Sequence, residues 1–175
     1  KNISKNTKWF IINSPGNPTG SVYTEVELKK ISEVLAKYPN VNILSDDIYE
    51  HIIYNPEKFL NIVNVNSSLK DRTFIVNGVS KVFSMTGWRI GYGAGDINFI
   101  RSMAKLQSQS TTNPCSISQM AAKHALETDK DFLNEWIKKF GERRDFLLNF
   151  FESINGLRPF NPKGAFYLYV SCEGF

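Results

Sequence analysis

An α/β fold, with a mainly parallel sheet and helices on both faces, is what the pattern of this chain calls for. Short apolar runs, Trp9-Phe-Ile-Ile12, Val41-Asn-Ile-Leu44 and Thr73-Phe-Ile-Val76, alternate with stretches whose apolar residues recur at helical spacing. Strand, helix and strand in that order favour parallel strands under a cover of helices. Each run also leads into a polar loop: Asn17 follows the first, Asp46 and Tyr49 the second, Lys81 the third. In a parallel sheet those ends share one edge, where open α/β sheets bind ligands.

Lys8-Trp-Phe-Ile-Ile12 reads as a buried strand that stops at Asn13-Ser-Pro-Gly-Asn-Pro-Thr-Gly20, a loop dense in turn residues. Thr24 followed by Glu27 is a capping box, and Leu28, Ile31 and Leu35 continue it as a helix through Tyr38. Pro39-Asn40 ends that helix, and Val41-Asn-Ile-Leu44 runs into Ser45-Asp-Asp-Ile-Tyr-Glu50. A looser segment rich in Asn and Ser, residues 55–71, leads to the third strand at Thr73. Ile90-Gly-Tyr-Gly-Ala94 returns after a short loop rather than a crossover helix, so it is free to run antiparallel. Asp96 caps a helix through about Leu106. A polar loop (107–114), a helix (116–126) and a long helix (130–154) follow, the last ended by Asn155-Gly156. Phe166-Tyr-Leu-Tyr-Val170 then reads as a strand.

Composition bounds the function loosely. The 175 residues are 42% hydrophobic and 22% charged, as in an ordinary globular protein, enough for one good core or one domain and part of another. The net charge of +4 comes from scattered lysines, with no dense basic run to suggest nucleic acid. No run is long and apolar enough to span a membrane. Cys115 and Cys172 stand far apart at no metal spacing and read as small apolar filler. Ser102-Met-Ala-Lys105 fits a serine acyl-transfer pattern but falls inside a helix and lacks its partner motifs. Gly91-Tyr-Gly-Ala-Gly95 lacks dinucleotide spacing and reads as close backbone packing. His51 and His124 read as a rim residue and a helix-surface residue. The chain begins at Lys1, close to a strand, and stops just after another, so both ends read as cut.

Asn77-Gly-Val-Ser-Lys-Val-Phe-Ser-Met-Thr-Gly-Trp-Arg89 is the stretch with the most chemistry. A lysine amine held out of water, or beside another cation, becomes a nucleophile for Schiff-base formation. An arginine supplies the forked, permanently charged donor set that a phosphate needs. Taken singly, each residue has a plainer explanation: Asn17 as a turn former, Asp46 as a cap, Tyr49 as core, Lys81 and Arg89 as surface cations. Together, an amine, a carboxylate, a phenol, an amide and a guanidinium are what pyridoxal phosphate requires.

The segments Ser14-Pro-Gly-Asn-Pro-Thr-Gly20, Ser45-Asp-Asp-Ile-Tyr-Glu50 and Ser80-Lys-Val-Phe-Ser-Met-Thr-Gly-Trp-Arg-Ile-Gly-Tyr92 resemble the signatures of fold-type I, class I aminotransferases. They are most similar to bacterial aspartate aminotransferases of the subgroup carrying Lys-x-Phe-x-Met-Thr-Gly-Trp-Arg. The resemblance extends over essentially the whole chain, including Ser108-Gln-Ser-Thr-Thr112 and Gly164-Ala-Phe-Tyr167. It implies the C-terminal part of the large domain of a pyridoxal 5′-phosphate enzyme over residues 1–128, a long interdomain helix over 129–154, and the start of a small α+β domain over 155–175.

By the same resemblance, Lys81 is the lysine that forms the internal aldimine and later shuttles the proton between Cα and C4′. Asp46 pairs with the pyridine nitrogen and keeps it protonated. Tyr49 and Asn17 hydrogen-bond O3′ and hold down the aldimine pKa, and Asn17 also touches the substrate α-carboxylate. Arg89 binds the cofactor phosphate. Many relatives carry a phosphate-contacting serine just before the lysine. Here Gly78 and Ser80 leave that contact open. The upstream phosphate loop, the stacking aromatic ring and the C-terminal carboxylate-binding arginine have no candidates, so the piece alone is not expected to be a complete catalyst. The implied protein is a cytoplasmic homodimer, with residues 107–114 approaching the neighbouring site. Its implied substrates are an amino acid, aspartate or glutamate, and a 2-oxo acid. Aromatic or prephenate substrates, a lyase or decarboxylase of the same fold, and a ligand-binding regulator stay open as alternatives.

Overall fold

The computed structural model describes residues 2–54 and 56–174. The chain divides into two compact units. One comprises Lys1–Asn13, Thr24–Ile48 and Leu60–Thr128; the other comprises Ser14–Tyr23, Tyr49–Phe59 and Asp129–Phe175.

The first unit is built on a four-stranded sheet in the order β1 (Trp9–Asn13), β2 (Asn42–Asp46), β3 (Thr73–Gly78), β4 (Gly91–Ala94). β1, β2 and β3 are parallel, and β4 runs antiparallel to β3. The short return to β4 allows that reversal, because only a parallel neighbour needs a crossover.

Alternate residues of the strands face opposite layers. On one face Ile12 and Ile43 join Leu28 and Leu35 of α1 (Glu25–Ala36), Ile62 of α2 (Ile62–Val65) and Leu69, with Phe10 packed against them. On the other, Trp9 and Phe74 meet Phe99 of α3 (Ile97–Ser108) at ring distances of 5.1 and 4.9 Å. α4 (Ser116–Glu127) adds Ala122 against Val79 and Ile90. β1 is not the buried strand expected of Trp9-Phe-Ile-Ile12. It is an edge strand, and Ile11 is 67% exposed.

Local signals place the helix ends. The Thr24–Glu27 capping box is complete: Thr24 Oγ1 accepts from the Glu27 N–H, and Glu27 Oε2 accepts from the Thr24 N–H at 2.8 Å. Asp96 accepts from the Asn98 and Phe99 N–H groups, and α3 continues to Ser108, two residues past the expected end. The segment expected to be loose is more ordered than its composition suggests. Asn61 caps α2, and Asn66 caps a 3₁₀ helix at Ser67–Arg72, so two of its asparagines start helices rather than loops. Asn55, where that segment is expected to begin, lies outside the described residues.

The glycines of Gly91-Tyr-Gly-Ala-Gly95 do allow close packing. A Cβ on Gly93 would lie 2.5 Å from Phe74 Cζ. Both cysteines, expected as apolar filler, are instead exposed. Cys115 stands at the N-cap of α4, where the backbone N–H groups of Ser118 and Ile117 hold its thiol below the usual range.

In the second unit, α5 (Phe132–Glu152) buries Leu133 and Leu148, and β5 (Arg158–Phe160) pairs antiparallel with β6 (Tyr169–Ser171). The strand expected over 166–170 begins only at Tyr169. Ala165 has φ of 54°, a left-handed conformation that cannot continue an extended strand. β5, with Pro159 at its centre, has no counterpart among the expected elements; proline there removes a ladder donor and weakens the strand signal. No helix among the described residues is long and apolar enough to cross a membrane, and among the same residues no cluster of three or more His, Cys, Asp or Glu is placed to hold a metal ion.

Candidate active site

Register defines one edge of the sheet in the first unit. Asn13 pairs with Asp46, Asp46 with Val76, and Gly78 with Gly91. The C-terminal ends of β1, β2 and β3 and the start of β4 therefore lie together. Lys81 follows Gly78 by three residues, and Arg89 precedes Gly91 by two. Asp46, Lys81 and Arg89 thus belong to the same edge of the first unit, on β2 and on the loop between β3 and β4.

That loop is anchored through its apolar residues. The Val79 N–H donates to Ile90 O, and the Met85 N–H donates to Val79 O, both at 3.4 Å. Val79 is fully buried and packs with Ile90, Ala122, Phe83 and Met85, while Val82 is 5% exposed. Lys81 is left half-buried and Arg89 exposed. Arg89 has φ of 57°, and its guanidinium donates to Thr86 O at 2.8 Å. A left-handed arginine costs on the order of 1 kcal/mol, a strain that clusters at ligand sites.

The adjacent aspartates of Ser45-Asp-Asp-Ile-Tyr49 have different fates. Asp46, half-buried at the end of β2, accepts the Ile48 N–H at 3.2 Å, and its carbonyl takes the Asn13 side-chain amide at 3.0 Å. Asp47 is 5% exposed, accepts the Ser45 hydroxyl at 2.7 Å and accepts Asn61 Nδ2 at 2.5 Å. Asn61 in turn caps α2 through Oδ1 to the Val63 N–H at 2.9 Å. Asp47 and Asn61, which carry no role in the sequence reading, tie the end of β2 to the chain beyond it. The Asn61-x-x-Asn64 capping pattern was the available signal. Asn61→Ala should therefore cost about 2–4 kcal/mol, from a lost cap and a buried carboxylate left short of a donor. The full-length protein should unfold at a clearly lower denaturant midpoint; an unchanged midpoint would contradict the network.

Asn17 and Tyr49 belong to the second unit. Asn17 is exposed on a loop closed by Gly16 N–H to Ser21 O at 2.9 Å and Gly20 N–H to Gly16 O at 2.7 Å. Tyr49 is 3% exposed, and its ring meets Phe166 and Tyr167 edge-on at 5.5 and 5.6 Å. Its hydroxyl is hydrogen-bonded to that of Tyr167. His51 is half-buried beside Glu50, 3.5 Å away, and His124 lies exposed on α4. Ser102 is helical and spends its hydroxyl on Asn98 O at 2.8 Å.

The donor set fits pyridoxal phosphate by its chemistry. An amine, a carboxylate and a guanidinium on one sheet edge match an aldehyde carbon, a pyridine nitrogen and a phosphate. The family model for aminotransferase class I and II matches residues 1–174.

The chain belongs to the class I and II aminotransferases.

It is 53% identical over 171 residues to the probable aspartate/prephenate aminotransferase of Rickettsia prowazekii, covering 98% of this chain and 43% of that protein. The crystal structure of the aspartate aminotransferase from Rhizobium meliloti matches with a TM-score of 0.95 at 45% identity, over 98% of this chain and 43% of that one. The aromatic aminotransferase from Pyrococcus horikoshii matches with a TM-score of 0.90 at 35% identity, over 97% of this chain and 45% of that one. The chain therefore spans less than half the length of these aminotransferases. The mostly parallel sheet with helices on both faces is the fold-type I architecture that its structural relatives share.

Proposed function

We propose that the complete protein is a pyridoxal-phosphate-dependent aminotransferase that moves an α-amino group between aspartate or glutamate and a 2-oxo acid. The observation that carries this reading is the shared edge of Asp46, Lys81 and Arg89 in a chain of this family. When bound, the cofactor supplies an aldehyde that captures amino groups and a ring that withdraws electrons from Cα. The chain's own residues do the rest. The Lys81 amine would hold the cofactor covalently and would serve as the base that carries the proton between Cα and C4′. The Asp46 carboxylate would pair with the pyridine nitrogen and keep it protonated. Arg89 binds the phosphate as a charge-matched fork. By the family resemblance, Tyr49 and Asn17 would donate to O3′, and Asn17 would also orient the substrate α-carboxylate.

Residues 1–128 are proposed as part of the large domain, 129–154 as the interdomain helix and 155–175 as the start of the small domain. A cytoplasmic homodimer is the proposed assembly. The large apolar side chains left exposed on α3 and α4, among them Leu106, Ile117 and Met120 at 74%, 72% and 65%, support further burial in the complete protein. Sedimentation of the full-length protein should show a dimer; a strict monomer would contradict it.

A second reading, an aromatic or prephenate aminotransferase, is supported by the names of two relatives, an aspartate/prephenate aminotransferase and an aromatic aminotransferase. The deciding experiment incubates the full-length protein, loaded with cofactor, with aspartate and either 2-oxoglutarate or prephenate, and follows oxaloacetate. Formation with 2-oxoglutarate is expected. No oxaloacetate with either acceptor would sink the proposal.

A further inference from the structure

We propose that Tyr167 is a positioning residue for Tyr49, whose phenol it orients and polarises toward the cofactor. The inference rests on the proposed pyridoxal-phosphate reading and assigns a function to a residue for which that reading has none.

The two hydroxyls are bonded to each other across 118 residues of chain, within one compact unit. Their meeting is prepared by the backbone. The Tyr54 N–H donates to Lys163 O at 2.9 Å, and the Ala165 N–H donates to Ile52 O at 2.8 Å. Ile53 and Gly164 form an antiparallel bridge between these bonds. The Tyr54 hydroxyl then donates to Ala165 O at 2.7 Å. Gly164 permits the approach: a Cβ there would lie 2.7 Å from the Pro15 side chain and 2.8 Å from Ile52 O. Immediately after this clamp, Ala165 takes φ of 54° and turns the chain, and the next two rings lie edge-on against Tyr49. The segment that carries Tyr167 is thus fastened to the segment that follows Tyr49.

The chemistry follows from what a phenol can do. Its hydroxyl donates once and accepts through two lone pairs. If Tyr49 gives its proton to O3′, it still accepts from Tyr167. A donor that also accepts is polarised and donates more strongly, by roughly 10–30% per bond. The received bond also helps to fix the direction of the Tyr49 hydroxyl. Tyr167 acts on the cofactor only through Tyr49.

The test uses the full-length protein loaded with pyridoxal phosphate, and reads the pH midpoint of the bound cofactor's visible absorbance band. Four proteins are compared: unmutated, Tyr49→Phe, Tyr167→Phe and the double variant. Both substitutions keep the rings and their packing. Tyr49→Phe should raise the midpoint by about one unit, the effect of losing a hydrogen bond to an ionised oxygen. Tyr167→Phe should raise it by a few tenths of a unit, the cooperative share. The double variant should match Tyr49→Phe alone. A merely structural Tyr167 would leave the midpoint in place, and a role independent of Tyr49 would add its shift in the double variant; either result overturns the inference. Absence of a visible band from the unmutated protein would overturn the cofactor reading, and this inference with it.

Discussion

Replacing Lys81 by alanine in the full-length protein should abolish the visible band of the lysine-linked cofactor, leave the cofactor removable by dialysis and stop turnover. That band requires a carbon–nitrogen double bond to a protein amine, which alanine cannot supply. Neither Lys70 nor Lys105 is placed to substitute. Lys70 lies in the 3₁₀ helix Ser67–Arg72, which precedes Thr73 and so sits at the opposite end of β3 from Lys81. Lys105 is exposed on α3. Borohydride reduction followed by peptide mapping is the direct measurement. A reducible adduct and normal turnover in the Lys81→Ala protein would show that the nucleophile lies elsewhere.

Asp46→Ala should give a different failure. The cofactor stays attached through Lys81, so the visible band survives, but the rate of Cα proton loss falls by roughly a hundredfold or more. The cause is electrostatic. A carboxylate beside the pyridine nitrogen keeps it protonated, and only the protonated ring withdraws electrons well. A charge placed in advance where charge develops commonly contributes a few kcal/mol, and about 1.4 kcal/mol is tenfold in rate. Single-turnover kinetics of the substrate half-reaction would measure it. Asp46→Ala with undiminished proton abstraction would remove Asp46 from the site. Asn61→Ala, which disturbs the neighbouring Asp47 instead, should act on stability. The two variants therefore separate the aspartates by kind of effect as well as by size.

Much of the first unit was legible in the order of residues because its signals are local. A capping box needs only Thr24 and Glu27, one turn apart, and it forms as written. The apolar runs at 9–12, 41–44 and 73–76 become strands because each is bounded by turn residues and alternates with helical spacing. The parallel order then places Asp46 and Lys81 at one edge, since parallel strands have their C-terminal ends together. Misreadings arose where a local signal has two meanings. Asparagine favours both loops and N-caps, and at Asn61 and Asn66 the cap prevails because α2 buries Ile62 and the 3₁₀ helix buries Leu69. Residues 166–168 are aromatic and apolar enough for a strand, yet Ala165 adopts a left-handed turn that no propensity scale foretells for alanine.

The order of residues thus shows the kind of chain this is: alternating strands and helices, chemistry carried on the loops that leave the strands, and motifs dense enough to point to the aminotransferases. Tertiary structure alone decided how identical or neighbouring side chains divide their work. Asp46 and Asp47 are the same residue one position apart, but alternation across the strand end leaves the first at the sheet edge. It buries the second among Ser45 and Asn61. Tyr167 gains its place against Tyr49 from hydrogen bonds between segments more than a hundred residues apart. Burial and such distant contacts are properties of the packed chain, set by which surfaces leave water together, and no window of neighbouring residues contains them.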